Sequence, residues 1–227
     1  IRHRPHRLKY HSTALALAAQ KGDAAVTELL LKQGVRANKG GANNFMPVTS
    51  AAFGNNLEMV RTLVAQKANL NVRDEAGNTP LYYAVLNQNL AMVELILENK
   101  ANVNLANRDR DTPLLLALVK EYYPIAVKLI EKGAKFDGCF ENHCGMAMIV
   151  RSPELTRVAI RRPQALRMKD KEGMTLLMHA VVESNAESVH ILLKAGADPD
   201  TKDKEGYSAR SLAHERGVKE ITDLFAQ

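Results

Sequence analysis

The sequence predicts an all-α protein assembled from a repeated helix–turn–helix unit, and three observations predict it. The apolar set, 46% of 227 residues, is mostly Ala, Leu and Val with 5% aromatics and no Trp, a composition suited to small interlocking helices. The chain is also self-similar. "TALALAAQKGD", "MPVTSAAFGNN", "TPLYYAVLNQN" and "TPLLLALVKEY" start at Thr13, Met46, Thr79 and Thr112, each 33 residues after the last, and "TLLMHAVVESN" starts at Thr175. Third, a second motif follows five of these starts by 21 residues, at Gly34, Lys67, Lys100, Gly133 and Gly196. Two phase-locked motifs define a repeat of supersecondary size.

Each part of the unit has a local reason. Thr79 is placed to cap a helix with its hydroxyl, and Pro80 suits a first turn, where its missing N–H would be unpaired anyway. Ala84 keeps that first helix thin. Val93, Leu95, Ile96 and Leu97, and again Val189, Ile191, Leu192 and Leu193, give the second helix a wide apolar stripe that one unit cannot bury alone. Gly133 and Gly196 end second helices in the left-handed conformation that costs glycine little.

On these motifs, from about Ser12 to Phe225, the chain resembles the ankyrin-repeat family. The resemblance implies an ankyrin-repeat solenoid of stacked helix–turn–helix units with short β-turn fingers. About six to seven repeats, caps included, are expected to start near 13, 46, 79, 112, 145, 175 and 208. Residues 1–11, with Arg2, Arg4, Arg7 and Lys9, read as a basic N-terminal arm, and 12–227 as a single repeat domain. The fifth repeat departs most. It lacks the Gly-Ala ending, and the next start comes after 30 residues, with Pro163 expected to cut its helix short. The segment from Gly206 reads as a terminal cap.

Catalytic and cofactor chemistry find little support. Cys139, His143 and Cys144 are metal-ligand types, but no second ligand pair stands at zinc spacing, and they read as plain loop residues. His179 sits at an inward-facing first-helix position and reads as a satisfied semi-core residue. No phosphate-cradling Gly-rich loop and no H-E-x-x-H pattern is present, so neither enzyme activity, metal nor cofactor is expected. No apolar run approaches a membrane span. Ile1 at the start points to a trimmed chain, which leaves the compartment open between cytoplasmic, periplasmic and secreted.

The family resemblance implies a non-catalytic scaffold that binds a partner protein along finger tips and the exposed side of first helices. Ala42, Asn43, Phe45, Glu75, Asn78, Arg108, Asp109, Asp111, Lys171, Glu172 and Met174 stand at finger positions. Phe53, Leu86, Asn87 and Lys120 fall on the first helices, and Tyr82 stands where the family usually has His. Phe45, Phe53, Tyr82 and Leu86 form an apolar stripe with a charged border, the usual anatomy of an interface. A net charge of +6, from 31 basic and 25 acidic residues, favours an acidic protein partner, and a monomer is expected. Arg151, Arg157 and Arg161 head the largest basic cluster. It supports a docking patch for an acidic protein or, as the alternative function, nucleic-acid or anion binding, although few aromatics accompany it. The style of residues 173–217 is similar to bacterial ankyrin proteins, including toxin-neutralising immunity proteins and host-directed effectors.

Overall fold

The computed structural model describes residues 14–40, 45–136, 139–140, 143–162 and 164–226. The basic segment 1–11, Ala42, Asn43 and Pro163 lie outside these residues. Helices come in pairs. First helices are α1 (14–21), α3 (Pro47–Phe53), α5 (Pro80–Leu86), α7 (Pro113–Val119), α9 (Gly145–Val150), α11 (Leu176–Val182) and α13 (Ala209–Arg216). Second helices are α2 (Ala24–Lys32), α4 (Leu57–Ala65), α6 (Leu90–Glu98), α8 (Tyr123–Glu131), α10 (Pro153–Ala159), α12 (Ala186–Lys194) and α14 (Lys219–Leu224). Two-residue strands β1 (Cys139–Phe140) and β2 (His143–Cys144) pair antiparallel, with Cys139 opposite Cys144.

The pair α5–α6 shows how the sequence writes the unit. Thr79 accepts the N–H of Tyr82 at 3.1 Å, and Pro80 fills the first turn. After seven residues Gln88 turns left-handed (φ 54°), and Asn89 caps α6 by accepting the N–H of Met92 at 3.0 Å. Leu81, Tyr83, Ala84 and Val85 are buried on α5, and Met92, Val93, Ile96 and Leu97 on α6. Leu95, expected in the stripe, is only half-buried, whereas Met92 is buried.

The chain's contacts gather into two compact units, Ile1–Ala117 and Leu118–Gln227. In the first, α3 lies against α5, and Ala51, Ala52 and Ala84 are completely buried. Gly54 marks a close approach: a Cβ there would stand 2.1 Å from the carbonyl oxygen of Gln20. The second-helix exits are joined by an asparagine ladder. Asn38 Oδ1 accepts the N–H of Asn69 (2.6 Å), and Asn71 Oδ1 accepts that of Asn102 (2.7 Å). Asn69 and Asn102 in turn accept the N–H groups of Asn71 (2.9 Å) and Asn104 (3.0 Å). The ladder satisfies loop backbone that helices leave unpaired.

In the second unit the fifth repeat is visibly shortened. Its second helix has seven residues instead of nine, ends at Ala159, ahead of Pro163, and is followed by a 3₁₀ turn at Ala165–Arg167. A buried hydroxyl pair, Thr156 and Ser188 at 3.1 Å, ties α10 to α12, and Ser188 also donates to the carbonyl of Val150 at 2.7 Å. The last pair buries Ala209, Ala213 and Ile221, while Arg210, His214, Glu215 and Arg216 remain exposed, as a terminal repeat requires.

Second helices end on a left-handed residue at one recurring position. Glycine fills it at 34, 133 and 196, but Lys67 (φ 57°) and Lys100 (φ 63°) hold the same conformation with a side chain. Left-handed backbone strains any residue with a Cβ, and an added Cβ at the three glycines meets no atom within 4 Å, so the difference is conformational. Lys67→Gly and Lys100→Gly are each expected to raise the unfolding free energy by about 0.5–1 kcal/mol in urea titrations.

Candidate protein-binding surface

Four fingers close on a side chain five residues before the residue that precedes the first helix: Asp74, Asn107, Asp170 and Asp203. In every case Oδ1 accepts the backbone N–H four residues later at 2.9 Å. Two of these groups also reach the following helix. Tyr83 donates its hydroxyl to Asp74 Oδ2 at 2.5 Å, and His179 Nε2 lies 2.9 Å from Asp170 Oδ2. His179 is thus the satisfied, buried residue its position suggested. Burial, and next the bond to Asp74, push the Tyr83 phenol up to about 12. Successive fingers of the first unit are joined as well, by Arg108 N–H to the carbonyl of Ala76 (2.9 Å) and Asn107 Nδ2 to Asn78 Oδ1 (3.2 Å).

On this frame the first unit carries a ladder of four rings. Phe45 and Phe53 meet edge to face at 6.1 Å, Phe53 and Tyr83 at 5.3 Å, and Tyr82 and Tyr83 at 6.3 Å. Tyr83 is buried at the base, Phe45 and Tyr82 are half-buried, and Phe53 and Leu86 stay 46% and 42% exposed. Glu75, Arg108 and Asp109 are exposed around it, with Asp111 half-buried. Burial raises the Tyr82 phenol above its ordinary value, and Asp111 and Asp109 raise it further.

Two residues expected to face a partner are occupied inside the protein. Asn87 Nδ2 donates to the carbonyl of Ala52 at 2.8 Å, fastening α5 to the end of α3. Asn78 Nδ2 donates to the Tyr83 hydroxyl at 3.2 Å. Lys120 is exposed in the second unit, just past α7. Asp74 and Tyr83, which position the rings, escape a reading centred on exposed positions. Their signal is the acid or amide recurring in "DEAGNT", "NRDRDT", "DKEGMT" and "DKEGYS".

Three arginines of the fifth repeat's basic cluster pair with glutamates within the second unit. Arg151 makes a two-point bridge to Glu183 (2.7 and 3.1 Å), which raises its pKa further. Arg157 meets Glu187 at 2.6 Å and Arg161 meets Glu131 at 3.1 Å. Arg162 caps the end of α8 through the carbonyls of Ala134 (2.7 Å) and Ile130, over the Phe136 ring at 5.2 Å. Arg151, Arg157 and Arg161 stay exposed, and with Arg162 they also clasp neighbouring repeats, standing 28–32 residues from their partners. Among the described residues no cluster of three His, Cys, Asp or Glu is arranged to hold a metal, and no helix is long and apolar enough to cross a membrane.

Comparison with known proteins settles the family. The pattern described as ankyrin repeats in three copies matches residues 2–74 and 49–138, more than half the chain, and the single ankyrin-repeat pattern matches 172–204. The chain belongs to the ankyrin-repeat family. The stretch these ankyrin matches skip, 139–171, holds the shortened repeat. A putative ankyrin repeat protein of Neisseria meningitidis serogroup B is 37% identical over 59 residues, 26% of this chain and 23% of that protein. The chain spans less than a quarter of the length of the curated relatives it matches. Among solved structures, the ankyrin repeat domain of Bcl-3, a member of the IkappaB protein family, aligns over 94% of this chain and 98% of its own, with TM-score 0.75 and 19% identity. A chain from the complex of the Bd0816 predatory endopeptidase of Bdellovibrio bacteriovorus with immunity protein Bd3460 aligns over 95% and 97%, with TM-score 0.52 and 24% identity. Both likenesses bear on the fold alone, and the ankyrin-repeat fold is generally a non-catalytic interaction scaffold.

Two outcomes follow from this geometry. Tyr83→Phe removes the donor to buried Asp74 and is expected to cost about 1–3 kcal/mol. Its raised folded pKa also means that stability present below pH 10 is lost as pH rises towards 12, so urea titrations should show a steeper fall for the wild type than for the variant. Arg157→Ala and Arg161→Ala break exposed bridges and should each change stability by less than about 1 kcal/mol in the same assay.

Proposed function

We propose that the protein captures a partner protein on the ring-bearing face of its first unit, and that it carries out no chemistry itself. The exposed edge-to-face ladder carries this reading. Phe53, Leu86 and half-buried Tyr82 offer apolar and aromatic area on a rigid base, with Glu75, Arg108, Asp109 and Asp111 as a polar rim. Aromatic anchors inside a charged border supply most of the binding energy at protein interfaces.

The finer reading is a toxin-neutralising (immunity) role, in which a tight stoichiometric complex abolishes the activity of one enzyme. Its support is the likeness to a chain of the endopeptidase–immunity protein complex. A host-directed effector would instead hold a eukaryotic protein. The nucleic-acid alternative loses support, since Arg151, Arg157 and Arg161 are already paired with glutamates. The test is capture from extracts of the source organism and of eukaryotic cells, with wild type and Phe53→Ala/Tyr82→Ala as baits. A stoichiometric partner held by the wild type and lost at least tenfold by a variant with unchanged secondary structure is expected. Equal capture by both baits would overturn this surface.

A further inference from the structure

We propose that the partner docks on this face through a basic side chain, arginine or lysine, laid over the Phe53 and Tyr82 rings with its charge received by Asp109, Asp111 and Glu75. This rests on the protein-capture reading and names the chemistry of the partner. Two contrasts within the molecule carry it.

The first concerns ring faces. Two arginines of this chain lie over rings: Arg162 over buried Phe136 at 5.2 Å and Arg210 over half-buried Phe225 at 5.8 Å. Among the described residues, no cation lies over Phe53 or Tyr82, although Phe53 is the most exposed aromatic residue of the first unit. A ring face is electron-rich and attracts a cation, more strongly when a partner covers it from water. The second contrast concerns carboxylates. Glu131, Glu183 and Glu187 in the second unit each hold an arginine, whereas Glu75, Asp109 and Asp111 form no ion pair among the described residues.

Arg108 and Arg110 belong to the same finger, but the charges that act on the Tyr82 phenol are those of Asp111 and Asp109. The finger that carries them is pinned to its neighbour through Ala76, so the backbone bearing the carboxylates is already held in place. The aliphatic stem of Arg or Lys matches the apolar ground between Phe53 and Leu86 while its head reaches the rim. An acidic partner, which the net charge of +6 favours at long range, would set carboxylate against carboxylate here.

The test uses the full chain and a fluorescein-labelled peptide of alternating leucine and arginine, with citrulline and glutamate counterparts. Citrulline keeps the shape of arginine and removes its charge. Fluorescence anisotropy should show the arginine peptide binding at least tenfold more tightly than either counterpart. Asp109→Asn/Asp111→Asn should weaken it at least fivefold and flatten its salt dependence, and Phe53→Leu should weaken it while the protein keeps its helical content. Indifference to the aspartate changes, or preference for the glutamate peptide, would overturn the proposal. The two readings separate on the native partner. If Phe53→Ala/Tyr82→Ala loses it and Asp109→Asn/Asp111→Asn keeps it, the capture surface stands and the basic side chain falls.

Discussion

Four of the fingers turn on one short polar side chain. Asp74, Asn107, Asp170 and Asp203 accept the N–H of the residue just before the next helix cap, and that bond sets where the finger points. Without it the loop backbone would have to find partners in water, and the first helix would start from an unfixed direction. Asp74 does more, because Tyr83 reaches back to its second oxygen. A tyrosine ring held there gives Phe53 and Tyr82 an edge to lean on, so the exposed aromatic surface is a consequence of a buried hydrogen bond.

The two units answer the problem of holding neighbouring repeats together in different ways. The first uses amides. Asn38, Asn71 and Asn87 satisfy backbone groups of the adjacent repeat. The second uses guanidinium groups, with Arg151, Arg157, Arg161 and Arg162 each reaching an adjacent repeat. Its shortened second helix explains the need. With two helical residues fewer and no Gly-Ala exit, α10 has less backbone and apolar area for its neighbours, and long side chains with planar, many-pronged heads span the difference.

Much of this was legible in the sequence. Helix starts at Thr79, Thr175 and Ser208, left-handed exits at Gly133 and Gly196, and the irregular repeat all follow from local residue chemistry, which operates over a few positions. What was not legible depends on distance along the chain. Arg157 and Arg161 look like a solvent-facing charge run until the glutamates 30 residues away are placed beside them. Asn87 looks like an exposed contact residue until its amide is seen against Ala52, and Tyr83 looks like plain core until its hydroxyl finds Asp74. Repeat period shows which residues are equivalent. It does not show what each one touches.

The ring ladder also makes the protein its own optical reporter. There is no tryptophan to mask tyrosine emission, and two of the six tyrosines, Tyr82 and Tyr83, stand together at the candidate surface. One of them is half-open to solvent and the other sealed against a carboxylate. Light absorbed and emitted by this pair is therefore sensitive to whatever covers the face, with no label attached to the chain.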